Sequence, residues 1–296
     1  ADRYGIAVPI AAAGRANNWE VLKSEAFAAS WPAGTDPKES PHSSKAAFFI
    51  WSDLNGDGQA QPDEVSMLKA VSGGVTVMND LSFVVSRLEG KALRFAPKRF
   101  TEADVPVYGI GEGQVLVEGA QTPPSSGGDQ VLVGRDGWSI HTTAPQPFKA
   151  SALSGVKNGV PMWSYPSLWP GLHASHEAPV PDRRGMIIGH TRLVGDFLAQ
   201  DGAEQMWAIN GNTGAIYIFT SDGLFVAQLL HDMRLGRQWA MPVARRGMLL
   251  NELTPGDENF WPSLAQTPDG AVYLVAGRPN CIARVEGLET VHRIAP

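Results

Sequence analysis

An all-β chain of repeated short hairpins, set radially as the blades of a β-propeller, is the fold class that three observations in this sequence predict. First, 32 Gly, 22 Pro and nine Trp with only 18% charged residues in a chain of 296 favour many turns and short strands over long helices. Second, short apolar runs are repeatedly followed by a Gly-containing turn and a second apolar run, the pattern of a hairpin. Third, these hairpins return imperfectly at roughly 40 to 50 residues, the sequence mark of propeller blades.

The hairpins can be placed individually. Leu81–Ser86 leads through Glu89-Gly90 to Leu93–Pro97, and Gln130–Val133 through Asp136-Gly137 to Trp138–His141. Ala215–Phe219 leads through Ser221-Asp222-Gly223 to Leu224–Ala227, and Ala271–Val275 through Pro279-Asn280 to Ile282–Val285. Pro-rich stretches at 118–130 and 142–186 interrupt the spacing. A β-sandwich is the rival architecture, but so long an array of hairpins fits radial repetition better. At that period about 250 residues from Ala46 make five or six blades. The expectation is a propeller of about five to seven blades, incomplete, part of a longer chain, or closed by the N-terminal segment.

Residues 1–45 are expected as an irregular leader packed on a main body of blades spanning 46–296. Within the leader, Tyr4–Ile10 is expected as a short strand, and Asn18–Ala29 as a short helix capped by Asn17 or Asn18. Trp31-Pro32-Ala33-Gly34 stops that helix. The continuous apolar run Ala46–Trp51 is expected as a buried strand.

That strand delivers Asp53-Leu54-Asn55-Gly56-Asp57-Gly58-Gln59-Ala60-Gln61-Pro62-Asp63-Glu64, which fits the twelve-residue calcium-loop pattern. Asp53, Asn55 and Asp57 supply side-chain oxygens at positions one, three and five. Gly58 permits the sharp turn, Gln59 offers a backbone carbonyl, and Glu64 closes the site with both carboxylate oxygens. Calcium is a hard cation that takes about six to eight oxygens, which this spacing provides. An Asn/Asp/Gly turn without an ion is the plain alternative. Val65–Leu68 and Val75–Met78 read as strands and Gly73-Gly74 interrupts any helix, so loop 53–64 is expected between strands, without the flanking helices of a calcium sensor.

A second group lies at Trp163–Pro179, expected as a loop because its prolines exclude a continuous helix. Trp163, Tyr165 and Trp169 stand near His173, His176 and Glu177, with His190 and Arg192 beyond the next strand. Flat rings stack on sugar C–H faces, Arg pairs bidentately with a carboxylate, and His moves protons near neutral pH. The expected roles are substrate binding for Trp163, Trp169 and Glu177, and catalysis for His173, His176, His190, Arg192 and Tyr165. In a uronic-acid lyase, a cation neutralises the carboxylate while His or Tyr takes the α-proton. His173, His176 and His190 are also a candidate transition-metal set. Hydrogen-bonded structural histidines and aromatic filler between blades are the plain readings.

Composition excludes other classes. A net charge of −6 and the lack of a basic run argue against nucleic acid, and no stretch of about 18 apolar residues predicts a membrane span. Cys281, the single cysteine, excludes an internal disulfide and any C-x-x-C site. Gly109, Gly111 and Gly113 mimic a dinucleotide fingerprint, but the third Gly comes too early. The first residue, Ala1, is consistent with a processed export product or a piece of a longer polypeptide.

TPDGAVYLV (Thr267–Val275) followed by IARVEGLE (from Ile282) resembles NHL-type blades. NGVPMWSYPS (from Asn158) resembles the Gly-x-x-x-Trp strands of pyrroloquinoline-quinone-type propeller repeats. DLNGDGQAQPDE resembles the calcium loops inserted in large exported bacterial propellers, some of which process polysaccharides. The resemblance covers much of the chain from Ala46 onward and implies a periplasmic or extracellular setting. The expected function is an exported, calcium-stabilised propeller that binds or processes carbohydrate, with an acidic-polysaccharide lyase as its enzymatic form. Its expected partners are a polysaccharide or other small ligand and the remainder of a longer polypeptide or another subunit. A quinone- or metal-dependent oxidoreductase and a non-catalytic interaction scaffold are the alternatives.

Overall fold

A computed structural model describes residues 5–122, 129–149, 152–166, 177–180, 182, 187, 192–199, 202, 204–211, 213–235, 237–238, 245–251, 253–254, 262–276 and 281–294. The described chain is all-β, built from several small sheets whose strands pair antiparallel, apart from one short parallel pair. It divides into two compact units, Ala1–Ala120 and Gln121–Pro296. No helix among the described residues is long and apolar enough to cross a membrane.

In the first unit, β1 (Ala11–Arg15), β2 (Ala47–Ser52) and β3 (Val65–Lys69) form one sheet in that order. The leader therefore contributes a strand, and that strand is Ala11–Arg15 rather than the expected 4–10. The expected helix over 18–29 is instead three 3-10 turns, Ala16–Asn18, Glu20–Lys23 and Glu25–Ser30. Trp19 and Ser24 adopt extended backbone angles and break the run, and neither supplies a side-chain cap that would let an α-helix start.

Burial explains why the turns persist. Leu22 and Phe27 are buried with Trp19 and Trp31 against Phe49 and Trp51 of β2. Each fully buried Leu or Phe contributes roughly 1.5–3 kcal/mol. Buried Asn17 ties the leader to the sheet, donating to the Asp36 and Glu39 carbonyls and accepting from Ala47 N–H.

The opposite face of β2 presents Phe48 and Ile50 to a second sheet. This comprises β4 (Val75–Val77), β5 (Phe83–Leu88), β6 (Lys91–Phe95) and, after the small hairpin β7 (Arg99–Phe100) and β8 (Pro106–Val107), β9 (Gln114–Glu118). Phe83 stacks on Phe95 with ring centroids 4.9 Å apart. Because β2 is covered on both faces, it reads as a continuous apolar run rather than an alternating one.

Among the described residues, the second unit holds three meander sheets and one short parallel pair. The first is β10 (Val131–Val133), β11 (Trp138–His141), β12 (Ala152–Lys157) and β13 (Val160–Pro166). The second is β14 (Arg192–Leu198), β15 (Gln205–Asn210), β16 (Ile216–Thr220) and β17 (Phe225–Leu229). A short parallel pair, β18 (Arg237–Gln238) with β19 (Leu253–Thr254), precedes the third: β20 (Ser263–Gln266), β21 (Val272–Ala276) and β22 (Cys281–Val285).

Ile140, Leu153, Trp207, Tyr217 and Phe219 fill the space between the first and second sheets. Met206, Ile216, Ile218, Leu264 and Leu274 fill that between the second and third. Glutamine side chains bridge the sheets at backbone level: Gln130 accepts from Leu193 N–H, and Gln266 both accepts from and donates to the Leu198 backbone. At Gly195 a Cβ would lie 2.4 Å from the Leu264 carbonyl oxygen, so only glycine lets β14 and β20 come this close.

Trp163, Ser164, Tyr165 and Pro166, expected in a loop, belong to β13. The prolines do not prevent this, because β13 is an edge strand and Pro161 sits beside a register shift at Gly155/Val156. Glu177, expected in the same loop, is helical with an exposed side chain.

Candidate functional site

Loop 53–64 connects β2 to β3 without flanking helices, as expected from its sequence. Asp53 and Glu64 are both buried, and the Asp53 N–H is held by the Ile10 carbonyl at 2.9 Å. Asp53 Oδ1 accepts from the N–H groups of Gly56 and Asp57, and its Oδ2 from Gly58. Asn55 Oδ1 accepts from Asp57 N–H, and Asp57 Oδ1 from Gln59 N–H. These side-chain turns wind the backbone around the carboxylates. Gly56 and Gly58 make it possible, at φ of 78° and 74°, where other residues are strained.

Glu64 holds the end of the loop through hydrogen bonds. Its Oε1 accepts from Leu54 and Asn55 N–H, and its Oε2 from Trp51 Nε1 and Gln61 N–H. Four donors use the four lone-pair positions of a carboxylate, so here Glu64 is an internal clasp. Among the described residues, no three acidic, His or Cys side chains form a ready metal cluster.

The donor chemistry nevertheless fits a hard cation at the Asp53–Asp57 side of the loop. Gln61, at the ninth position, donates its amide to Asp57 Oδ2 at 2.7 Å. Its Oε1 is buried with no hydrogen-bond partner. A buried acceptor without a donor costs about 1–3 kcal/mol. Sequence reasoning passed over Gln61, although position nine of such loops faces the ion, often through water.

Of the second predicted group, Trp169, His173, His176 and His190 lie outside the described residues. Arg192 opens β14 half-buried, and burial lowers its pKa. The polar tips of Trp163 and Tyr165 are engaged inside the protein. Trp163 Nε1 donates to the Ser221 carbonyl at 2.9 Å, and the Tyr165 hydroxyl donates to the Gly223 carbonyl at 2.6 Å. Both aromatics thereby clamp the β16–β17 turn of the neighbouring sheet. Burial also pushes the Tyr165 phenol up, away from the phenolate a base requires.

Two further polar groups carry no strong sequence signal. Ser139 and His141 face each other within β11, Oγ to Nε2 at 2.8 Å, and both are buried. Burial depresses His141 to about 3, which keeps its imidazole neutral. The other cluster is a cleft of about 310 Å³ lined by Arg135, Asp136, Trp138, Lys157, Glu204 and Asp222, with Arg293 reaching in from the C-terminal segment. Arg293 pairs with both Glu204 and Asp222. The turns at Asp136-Gly137 and Ser221-Asp222-Gly223 were legible in the sequence, but their meeting was not.

No protein-family model matches the chain, and no curated protein matches it. Among solved structures, the chain has a likeness to a "putative 6-phosphogluconolactonase" from Bacteroides fragilis, at 9% identity and a TM-score of 0.36. That match covers 81% of this chain and 64% of the other, so this chain spans less than two thirds of the other's length.

Proposed function

We propose that this chain is a calcium-stabilised, propeller-type β protein that binds carbohydrate. The observation that carries the calcium reading is the orphaned Gln61 Oε1 beside Asp57, in a loop already wound around Asp53. Asp53, Asn55, Asp57, the Gln59 carbonyl and Gln61 are the groups that would hold the ion. Bound calcium supplies a fixed positive charge that relieves the crowded oxygens. Asp53 meanwhile orients three backbone N–H groups, and Glu64 holds the loop's two ends together. No flanking helix pair exists to open, so the role is a rigid clip rather than a sensor. An exported location, rich in calcium, suits that role.

The radial arrangement is supported by the second unit. Each sheet is a meander in sequence order, and the first strands of successive sheets, β10, β14 and β20, are neighbours. Carbohydrate is the ligand class suited to the aromatic and charged cleft beside Trp138. The Tyr165 hydroxyl is committed to the Gly223 carbonyl and so is not available as a base.

The test combines titration calorimetry with thermal melts. Calcium should bind at about one ion per chain, and a chelator should lower the wild-type Tm. Asp57→Ala should melt at one temperature with or without chelator. A wild-type Tm indifferent to chelator, with no calcium heat, overturns the calcium reading.

A further inference from the structure

We propose that the cleft between the β10–β11 turn and the β16–β17 turn binds a carboxylated sugar, through Arg135 and Lys157 with Trp138 as its apolar wall. The inference rests on the carbohydrate reading above and gives it a place and a ligand charge.

The cleft's three cations and three carboxylates balance in number but are not paired one to one. Glu204 and Asp222 are both committed to Arg293, at 2.6 Å each for the shortest contacts. That bridge fixes the floor of the cleft and engages one cation with two anions. What remains is Arg135, Lys157 and Asp136. Among the described residues, the Arg135 guanidinium reaches only the Gly202 carbonyl, at 3.3 Å, and its charge also acts on buried Asp196. Lys157 Nζ stands 5.2 Å from the Trp138 ring centroid, a cation–π contact that positions the ammonium and leaves its N–H donors available.

With the cleft's formal charges balanced overall, a single added carboxylate meets less repulsion than a dianionic phosphate. A planar guanidinium beside an ammonium suits a carboxylate, the guanidinium supplying two parallel donors. Asp136 offers acceptors for ring hydroxyls, and the half-buried Trp138 indole supplies apolar surface for the sugar's C–H groups. At about 310 Å³ the space lies at the small end of the roughly 300–1,000 Å³ typical of ligand pockets. It therefore suits a single sugar unit or a chain end.

The experiment is calorimetric titration of the full 296-residue chain, at low salt, with glucuronate, glucose and glucose 6-phosphate. Glucuronate should bind at least tenfold more tightly than either comparator, and raising the salt should weaken it. Arg135→Gln and Lys157→Gln should each reduce glucuronate affinity at least fivefold, with a cooperative melt retained and calcium binding unchanged. If the wild type binds glucuronate and both variants bind it equally well, the cleft is the wrong place while the carbohydrate reading stands. If no sugar or polysaccharide offered to the wild type binds, both fall. Tighter binding of glucose 6-phosphate overturns the carboxylate assignment.

Discussion

Trp51 donates its indole N–H to Glu64 Oε2 at 3.1 Å, both residues buried. This bond joins the most apolar strand of the first unit to the last residue of the acidic loop. It explains how a loop rich in charge is anchored on a hydrophobic sheet. Trp51→Phe keeps the packing beside Trp19 and removes the donor. Hydrogen bonds to charged groups contribute about 1.5–3 kcal/mol, so urea unfolding should show a loss of that size with the m-value unchanged. A loss below about 0.5 kcal/mol would show that the bond is dispensable.

Trp163 is packed between two glycines. A Cβ at Gly155 would come within 2.2 Å of the indole, and one at Gly223, where φ is 90°, within 2.6 Å. Gly223→Ala should therefore combine backbone strain with overpacking and cost about 2–4 kcal/mol. Gly90→Ala has a similar φ of 77° but nothing within 4 Å, so only the strain of about 1–2 kcal/mol applies. Denaturant midpoints of the two variants check the order, and equal losses would remove the clamp from the account.

Asp222 and Arg293 give a pH prediction. Hydrogen bonding from Arg293 holds the Asp222 carboxyl down to about 2, from an ordinary value of 3.8. A depressed acid contributes stability above its unfolded value and loses it as pH falls towards the folded one. The Tm difference between wild type and Arg293→Ala should thus be constant above about pH 5 and shrink between about pH 4 and 2. Because both side chains are partly exposed, added salt should also reduce it. A difference that grows on acidification contradicts the pairing.

His141 acts in a higher window. Burial depresses it from 6.5 to about 3, so below pH 6.5 the unfolded chain takes up a proton that the folded chain refuses. Stability from this group is complete above 6.5 and falls by up to about 1.4 kcal/mol per pH unit as pH drops towards 3. His141→Asn should flatten the Tm profile between pH 6.5 and 4.5. An unchanged slope would show that another group controls it.

Much of the fold was legible because its signals are local. The apolar run of β2 predicts a strand covered on both faces, and Glu89-Gly90, Asp136-Gly137 and Ser221-Asp222-Gly223 mark turns by the conformations they permit. The spacing of Asp53, Asn55, Asp57 and Glu64 likewise depends only on neighbours in the chain. The leader was harder to read. Its 3-10 turns exist because Leu22, Phe27 and Trp31 find Phe49 and Trp51, a non-local packing preference that helix propensity does not encode.

The sequence by itself determined an all-β chain, its principal hairpins and an oxygen-rich loop between two strands, since each follows from residue period, turn chemistry and spacing. Only the tertiary structure decided what individual side chains do. It turned Trp163 and Tyr165 inward onto Ser221 and Gly223, saturated Glu64 with four donors, orphaned the Gln61 oxygen, and brought Arg135, Trp138, Lys157 and Arg293 into one cleft. Those outcomes depend on which sheets pack face to face and which turns meet. Contacts between residues far apart in the chain set both.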